Sequence, residues 1–210
     1  LALPEGKETM LIDVNESQLV LVDYQAKLMP VIADGMQVLQ QATKLAHIAK
    51  LMKVPTWGTE QNPDRLGAND AGLRALCQKT LSKMHFSAVP DGLTDLLQAP
   101  PARPASGNAR SLPKHLQKPQ AAAPERRSIV IAGCEAHVCL LQTALDLLDD
   151  EWDVCVVTDA CGSRTERNRD AAFDRLAGAG AELVTLEMVA FEWLGSCEHE
   201  RFKDVLALIK

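Results

Sequence analysis

Short apolar runs rich in β-branched residues alternate along this chain with longer stretches whose apolar positions recur at helical spacing. Gln18–Val22 (QLVLV) predicts a first strand, with Asp23 at its carboxyl end. Leu39, Ala42, Ala46, Ala49 and Met52 then fall three or four residues apart and predict a helix from about Ala33 to Lys53. Val54–Thr59 is the next strand, running into a polar loop at Glu60–Asp64. A short helix is predicted around Asp70–Gln78, a strand passing into a loop over Thr80–Val89, and another short helix over Asp91–Gln98. Later come a strand at Asp153–Thr158, a helix at Glu166–Ala179, a strand at Gly180–Thr185, and helices near Met188–Leu194 and His199–Ile209. Alternation of strand and helix predicts a mainly parallel sheet covered on both faces, a three-layer α/β domain.

The centre of the pattern is Ser128–Asp150. Ile129–Ala132 reads as a buried parallel strand, Gly133 breaks it, and Val138–Leu148 is apolar on most faces, as a buried helix is. Cys139 falls in the first turn of that helix, just past the carboxyl end of the strand. Unpaired N–H groups and the positive end of the helix dipole gather there, so the expectation is a thiol of lowered pKa and a nucleophile. The alternative is a small buried hydrophobe, the usual fate of a free cysteine.

Composition narrows the picture. With 210 residues, 47% of them hydrophobic, the chain suits one domain with one sizeable core. A net charge of −6 argues against general nucleic-acid binding, and no apolar run approaches the length of a membrane span. The first residues, LALPEGKETM, lack the apolar core of a signal peptide, so a cytoplasmic protein is expected, with residues 1–9 an extension or tail ahead of Met10. Six cysteines without a CxxC pair then read as reduced thiols rather than a disulfide framework, and the spacing of Cys134, His137 and Cys139 does not fit a zinc ribbon.

One stretch stands apart. Pro100–Arg127 holds six of the eleven prolines and six Lys or Arg against one acid, Glu125, a net charge of +5 that leaves −11 for the rest. Such a composition buries little and predicts a long surface insertion or a partly disordered loop. It joins a helix to the amino end of the next strand, away from the carboxyl edge where α/β sheets collect ligands, so it is expected outside the catalytic pocket.

On that carboxyl edge the pattern gathers Asp23, the loop after Thr59 and Gly133–Cys139, and Lys83, near the end of its short strand, can join them. Taken singly, Asp23 equally suits a cap on the next segment and Lys83 a surface lysine; it is the ordered combination that points to chemistry. Carboxylate, ammonium and thiol suit nucleophilic catalysis: the carboxylate accepts the thiol proton, the ammonium balances charge, and a helix N-terminus supplies donors for an oxyanion. Leu19–Gln25 (LVLVDYQ), Thr59–Pro63 (TEQNP), Lys83–Ala88 (KMHFSA), Gly133–Cys139 (GCEAHVC) and Thr158–Arg164 (TDACGSR) together resemble the isochorismatase-like cysteine hydrolases, relatives of nicotinamidases and N-carbamoylsarcosine amidases. The resemblance runs from about Met10 to Lys210, apart from the Pro-rich stretch. It implies a Rossmann-like αβα fold, an Asp23–Lys83–Cys139 triad, a cis peptide at Cys134–Glu135, an oxyanion hole from the Glu135 and Cys139 amides, and a homo-oligomer. The Asp-x-His…His metal site of nicotinamidases has no counterpart in Thr59–Gly67, which contains no histidine. No metal and no cofactor are therefore expected. As the family is known, true isochorismatases do not rely on the cysteine, so its presence here favours acyl chemistry.

Gln25, Glu60, Phe86 and His137 are candidates for the substrate pocket, although Gln25 and Glu60 equally suit loop-tying hydrogen bonds. His137 stands two residues from the thiol, and on a helix such positions point apart, which speaks against a Cys–His dyad. Cys161 reads as a passive thiol, and Asp159 and Arg164 as a structural loop contact. The leading expectation is hydrolysis of a small-molecule amide or related C–N bond through a thioester. A catalytically silent oligomeric scaffold of the same fold is the alternative, and a thiol redox role is disfavoured by the missing CxxC. Apolar C-terminal residues (Phe191, Trp193, Leu194, Val205, Leu206, Leu208, Ile209) offer either contact surface between copies or packing on the chain's own sheet.

Overall fold

The computed structural model describes residues 11–98 and 126–210. The extension read at residues 1–9, and all but the last two residues of the Pro-rich stretch, lie outside the described residues. In chain order the elements are β1 (Ser17–Val22), α1 (Gly35–Leu51), β2 (Thr56–Gln61), α2 (Pro63–Leu66), α3 (Ala71–Arg74), β3 (Lys79–Lys83) and α4 (Leu93–Gln98). After the undescribed segment come β4 (Ser128–Gly133), α5 (Leu141–Asp149), β5 (Asp153–Val157), α6 (Glu166–Gly178), β6 (Glu182–Val184), α7 (Leu186–Leu194) and α8 (Phe202–Ile209).

Six strands form one all-parallel sheet in the order β3-β2-β1-β4-β5-β6. Both faces of its centre are dry: every residue of β1 is buried, as are Ile129–Gly133 of β4. This is why those strands read as continuous apolar runs rather than alternating ones. On one face α1, α7 and α8 pack together; on the other α5 packs with α6. The chain winds outward from β1 to β3, then returns to β4 on the other side of β1. The switch point between β1 and β4 lies at their carboxyl ends, where open α/β sheets place ligands. Both ends of the undescribed segment are held far from it. Gln18, near the start of β1, donates from Nε2 to the carbonyls of Leu97 and Arg126, each at 2.9 Å.

At the switch point β1 and β4 approach closely. A methyl group on Gly133 would stand 2.5 Å from the Val22 carbonyl oxygen and 2.5 Å from its Cβ. The obstacle is largely backbone, so only separation of the strands makes room. Gly133→Ala is expected to lower stability by about 1–3 kcal/mol, read as a reduced urea midpoint without a change in slope.

Two elements differ from the sequence expectation. The helix read over Val138–Leu148 begins instead as a π turn, Ala136–Leu140, before α5. In that wide turn the Leu140 N–H reaches the Glu135 carbonyl five residues back, at 3.3 Å. Such turns recur at functional sites, and this one contains Cys139. The second strand runs past Thr59 to include Glu60 and Gln61, because pairing with β3 continues through Glu60–Ser82 and Gln61–Lys83. Polar residues that look like loop are here the buried end of a strand.

Most of the apolar C-terminal residues pack inward. Trp193, Leu194 and Val205 are buried, and the Trp193 indole donates to Ser17 Oγ at 3.0 Å. Phe191 and Met188 remain substantially exposed on α7. Among the described residues no helix is long and apolar enough to cross a membrane.

Candidate active site

Three strand ends bring Asp23, Lys83 and Cys139 together. Asp23 follows β1 directly, with φ at +55°, a left-handed conformation that aspartate tolerates better than most residues. Lys83 ends β3, which lies two strands away and so about 10 Å across the sheet. A long side chain is needed to cover that distance, and the Lys83 Nζ comes to rest 2.8 Å from Asp23 Oδ2, with both side chains fully buried. Cys139 approaches from the π turn after β4, only 6% exposed and close enough for its thiol to feel both the carboxylate and the ammonium.

Each charge is held by further groups. Lys83 Nζ donates to Gln61 Oε1 at 2.9 Å, to the Phe86 carbonyl at 2.8 Å and to the His85 carbonyl at 3.3 Å. These acceptors hold the ammonium in place at the end of β3. Thr59 donates its hydroxyl to Asp23 Oδ1 at 2.7 Å. Gln61 and Thr59 both lie on β2, and neither stood out in the sequence as a site residue. For Thr59 the available signal was its place at the end of the predicted strand; Gln61 fell in the predicted loop.

The thiol differs from expectation. Burial pushes Cys139 up to about 12; the Asp23 charge adds to the rise and Lys83 opposes it. Loss of water around sulfur outweighs the turn's dipole, which acts only partially in a π turn and competes with a full negative charge. Cys139 therefore rests as a thiol beside a carboxylate, not as a standing thiolate.

The remaining candidates are placed as follows. The Cys134–Glu135 peptide is cis. The Glu135 carboxylate accepts from Arg164 Nε at 2.8 Å and from the Arg164 N–H at 3.3 Å, so Arg164 pairs with Glu135 and not with Asp159. Asp159 instead accepts from the Leu186 N–H at the start of α7, and Cys161 is buried with its thiol on the Val157 carbonyl. Gln25 is fully buried: it receives the Gln61 N–H and donates to the carbonyls of Gln61 and Gly67, which is the loop-tying role. Glu60 is buried too, accepting from the Asn69 N–H at 2.9 Å, with Arg74 Nε at 3.7 Å. His137 is half-buried with Nδ1 3.0 Å from Ser163 Oγ, whereas the Phe86 ring is exposed and its carbonyl is the group that meets Lys83. Two open grooves, one between α1 and α8 and one beside α7, include none of the three converging residues. Among the described residues no three His, Cys, Asp or Glu side chains converge as a metal site.

A parallel sheet in this order, with thiol, carboxylate and ammonium at its switch point, defines an α/β fold of hydrolase type. Residues 17–188 match the Isochorismatase domain. A cattle protein, isochorismatase domain-containing protein 2, is 36% identical over 194 residues, covering 92% of this chain and 83% of its own length. The human protein of that name is 34% identical with the same coverage. The chain belongs to the isochorismatase domain family. Among solved structures, the MAR1 ribonuclease of Caenorhabditis elegans superposes with a TM-score of 0.79 at 29% identity, over 95% of this chain and 92% of that one. YcaC of Escherichia coli, described as an octameric hydrolase of unknown specificity, gives 0.77 at 24% identity over 96% and 90% of the two chains. YcaC of Pseudomonas aeruginosa, solved with hexane-2,5-diol and covalent acrylamide, gives 0.77 at 23% identity, over 97% and 93%.

Proposed function

We propose that this protein is a cysteine hydrolase of small-molecule amides or related C–N bonds, working through a thioester on Cys139. The observation that carries the reading is the burial of a thiol against an Asp23–Lys83 ion pair at the switch point of the sheet. Asp23 takes the proton from Sγ as sulfur attacks the substrate carbonyl carbon, so thiolate character arises only when it is needed. The Glu135 and Cys139 amides receive the oxyanion; the Glu135 N–H has no acceptor among the described residues. Collapse breaks the C–N bond, the departing nitrogen takes the proton from Asp23, and water then cleaves the thioester with Asp23 as base. Lys83 stays beside the carboxylate and balances its charge, with Nζ 2.8 Å from Oδ2.

The related fold from P. aeruginosa that carries covalent acrylamide supports a reactive group in this architecture. The octamer of the E. coli relative, together with exposed Met188 and Phe191, supports a homo-oligomer here. The ribonuclease name belongs to the C. elegans protein; a net charge of −6 disfavours a polyanionic substrate for this chain. Incubation with a panel of small amides followed by intact-mass measurement is expected to reveal an acyl adduct on the native chain. Absence of any adduct or turnover across the panel would leave the scaffold reading in its place.

A further inference from the structure

We infer that Thr59 is a positioning residue that decides which oxygen of Asp23 receives the Cys139 proton, an inference resting on the reading of Asp23 as the base. Thr59 lies opposite Val22 in the β1–β2 pairing and holds Asp23 at two points. Its carbonyl accepts the Asp23 N–H at 3.2 Å, and its hydroxyl donates to Oδ1 at 2.7 Å. The same carbonyl accepts from Asn69 Nδ2 at 2.9 Å, so the clamp is itself anchored. Both Thr59 and Asp23 are completely buried, where a directed donor counts for most.

The two carboxylate oxygens are therefore unlike. Oδ1 has an in-line hydroxyl donor. Oδ2 is buried 2.8 Å from Lys83 Nζ, yet that approach lies off the hydrogen-bond angle and Oδ2 has no other hydrogen-bond partner among the described residues. Lys83 aims its N–H groups at Gln61 Oε1 and at the carbonyls of His85 and Phe86. Oδ2 thus keeps an open lone pair, and the Cys139 thiol lies beside this carboxylate. By occupying Oδ1, the Thr59 hydroxyl fixes the carboxylate's rotation and removes the competing acceptor. In the attack, the S–H proton passes to Oδ2, the sulfur electron pair forms the bond to carbon, and the proton later leaves with the departing nitrogen.

The experiment is labelling of the full chain with iodoacetamide across about pH 4 to 9, a span covering the carboxyl and thiol ranges. The rate at Cys139 is read by peptide mapping, with melting temperatures recorded in parallel. In the native protein the rate should fall on an acid limb as the carboxylate takes up a proton. Thr59→Val, which keeps the shape and removes the donor, should move that limb up by about one pH unit and lower the plateau about tenfold. Thr59→Ser should restore the native curve. Thr59→Ala should show the same displacement as valine, so the outcome does not depend on how valine packs. A limb present in the native protein and unmoved in both donor-lacking variants overturns the Thr59 assignment alone. A native curve with no acid limb overturns Asp23 as base, and the Thr59 assignment with it.

Discussion

Replacement of Cys139 by serine is expected to remove the acyl adduct completely and to cut amide turnover by a factor on the order of 10³ or more. The site explains why an alcohol is a poor substitute. Burial and the Asp23 charge already push the far more acidic thiol up to about 12. A hydroxyl in the same dry position faces the same opposing charge with a much weaker intrinsic tendency to ionise. Burial works against a standing thiolate, so under the proposed function selectivity for Cys139 comes from proton transfer to Asp23 as the bond forms. Iodoacetamide is therefore expected to label Cys139 ahead of half-buried Cys77, which is pushed up to about 11, and ahead of exposed Cys197. Labelling of Cys139 no faster than of Cys197 under native conditions would sink the nucleophile assignment.

Removal of Lys83 should have the largest effect on stability. Lys83→Met leaves the Asp23 carboxylate charged, fully buried and without its counter-ion, a situation that costs about 3–5 kcal/mol. Adding Asp23→Asn removes the stranded charge, so the double variant should recover most of that loss at neutral pH. A double-mutant cycle from urea midpoints measures the coupling. Simple additivity of the two substitutions would show that the charges do not depend on one another. The same cycle separates stability from chemistry, since both single variants and the double one should lose the acyl adduct.

How much of this was legible in the sequence follows from what the residues bury. The strands of the sheet's centre could be read because they are dry on both faces, which demands uninterrupted runs such as Leu19–Val22 and Ile129–Ala132. Asp23 and Cys139 could be placed because each stands where such a run stops. The end of β2 was hidden for the opposite reason. Glu60 and Gln61 are buried polar residues whose partners, Asn69, Gln25, Lys83 and Met84, come from other segments, and hydrogen bonds of that kind leave no periodic trace. Thr59 was invisible as a positioning group because its role depends on one hydroxyl meeting one carboxylate oxygen. The thiol's acidity was misjudged because a helix N-terminus is visible in a sequence, whereas the depth of burial and a carboxylate from a distant strand are not.

The attachment of Lys83 to the loop that follows it has an evolutionary consequence. Two of its anchors are the main-chain carbonyls of His85 and Phe86, groups that every amino acid possesses. Met84 and Phe86 meanwhile turn exposed side chains outward. The cation is thus insulated from changes in side-chain identity along this rim. Mutation there can alter size, polarity or shape without disturbing the charge that sustains the buried carboxylate. Positions 84 and 86 are thus free to drift while the main-chain cradle of the lysine persists.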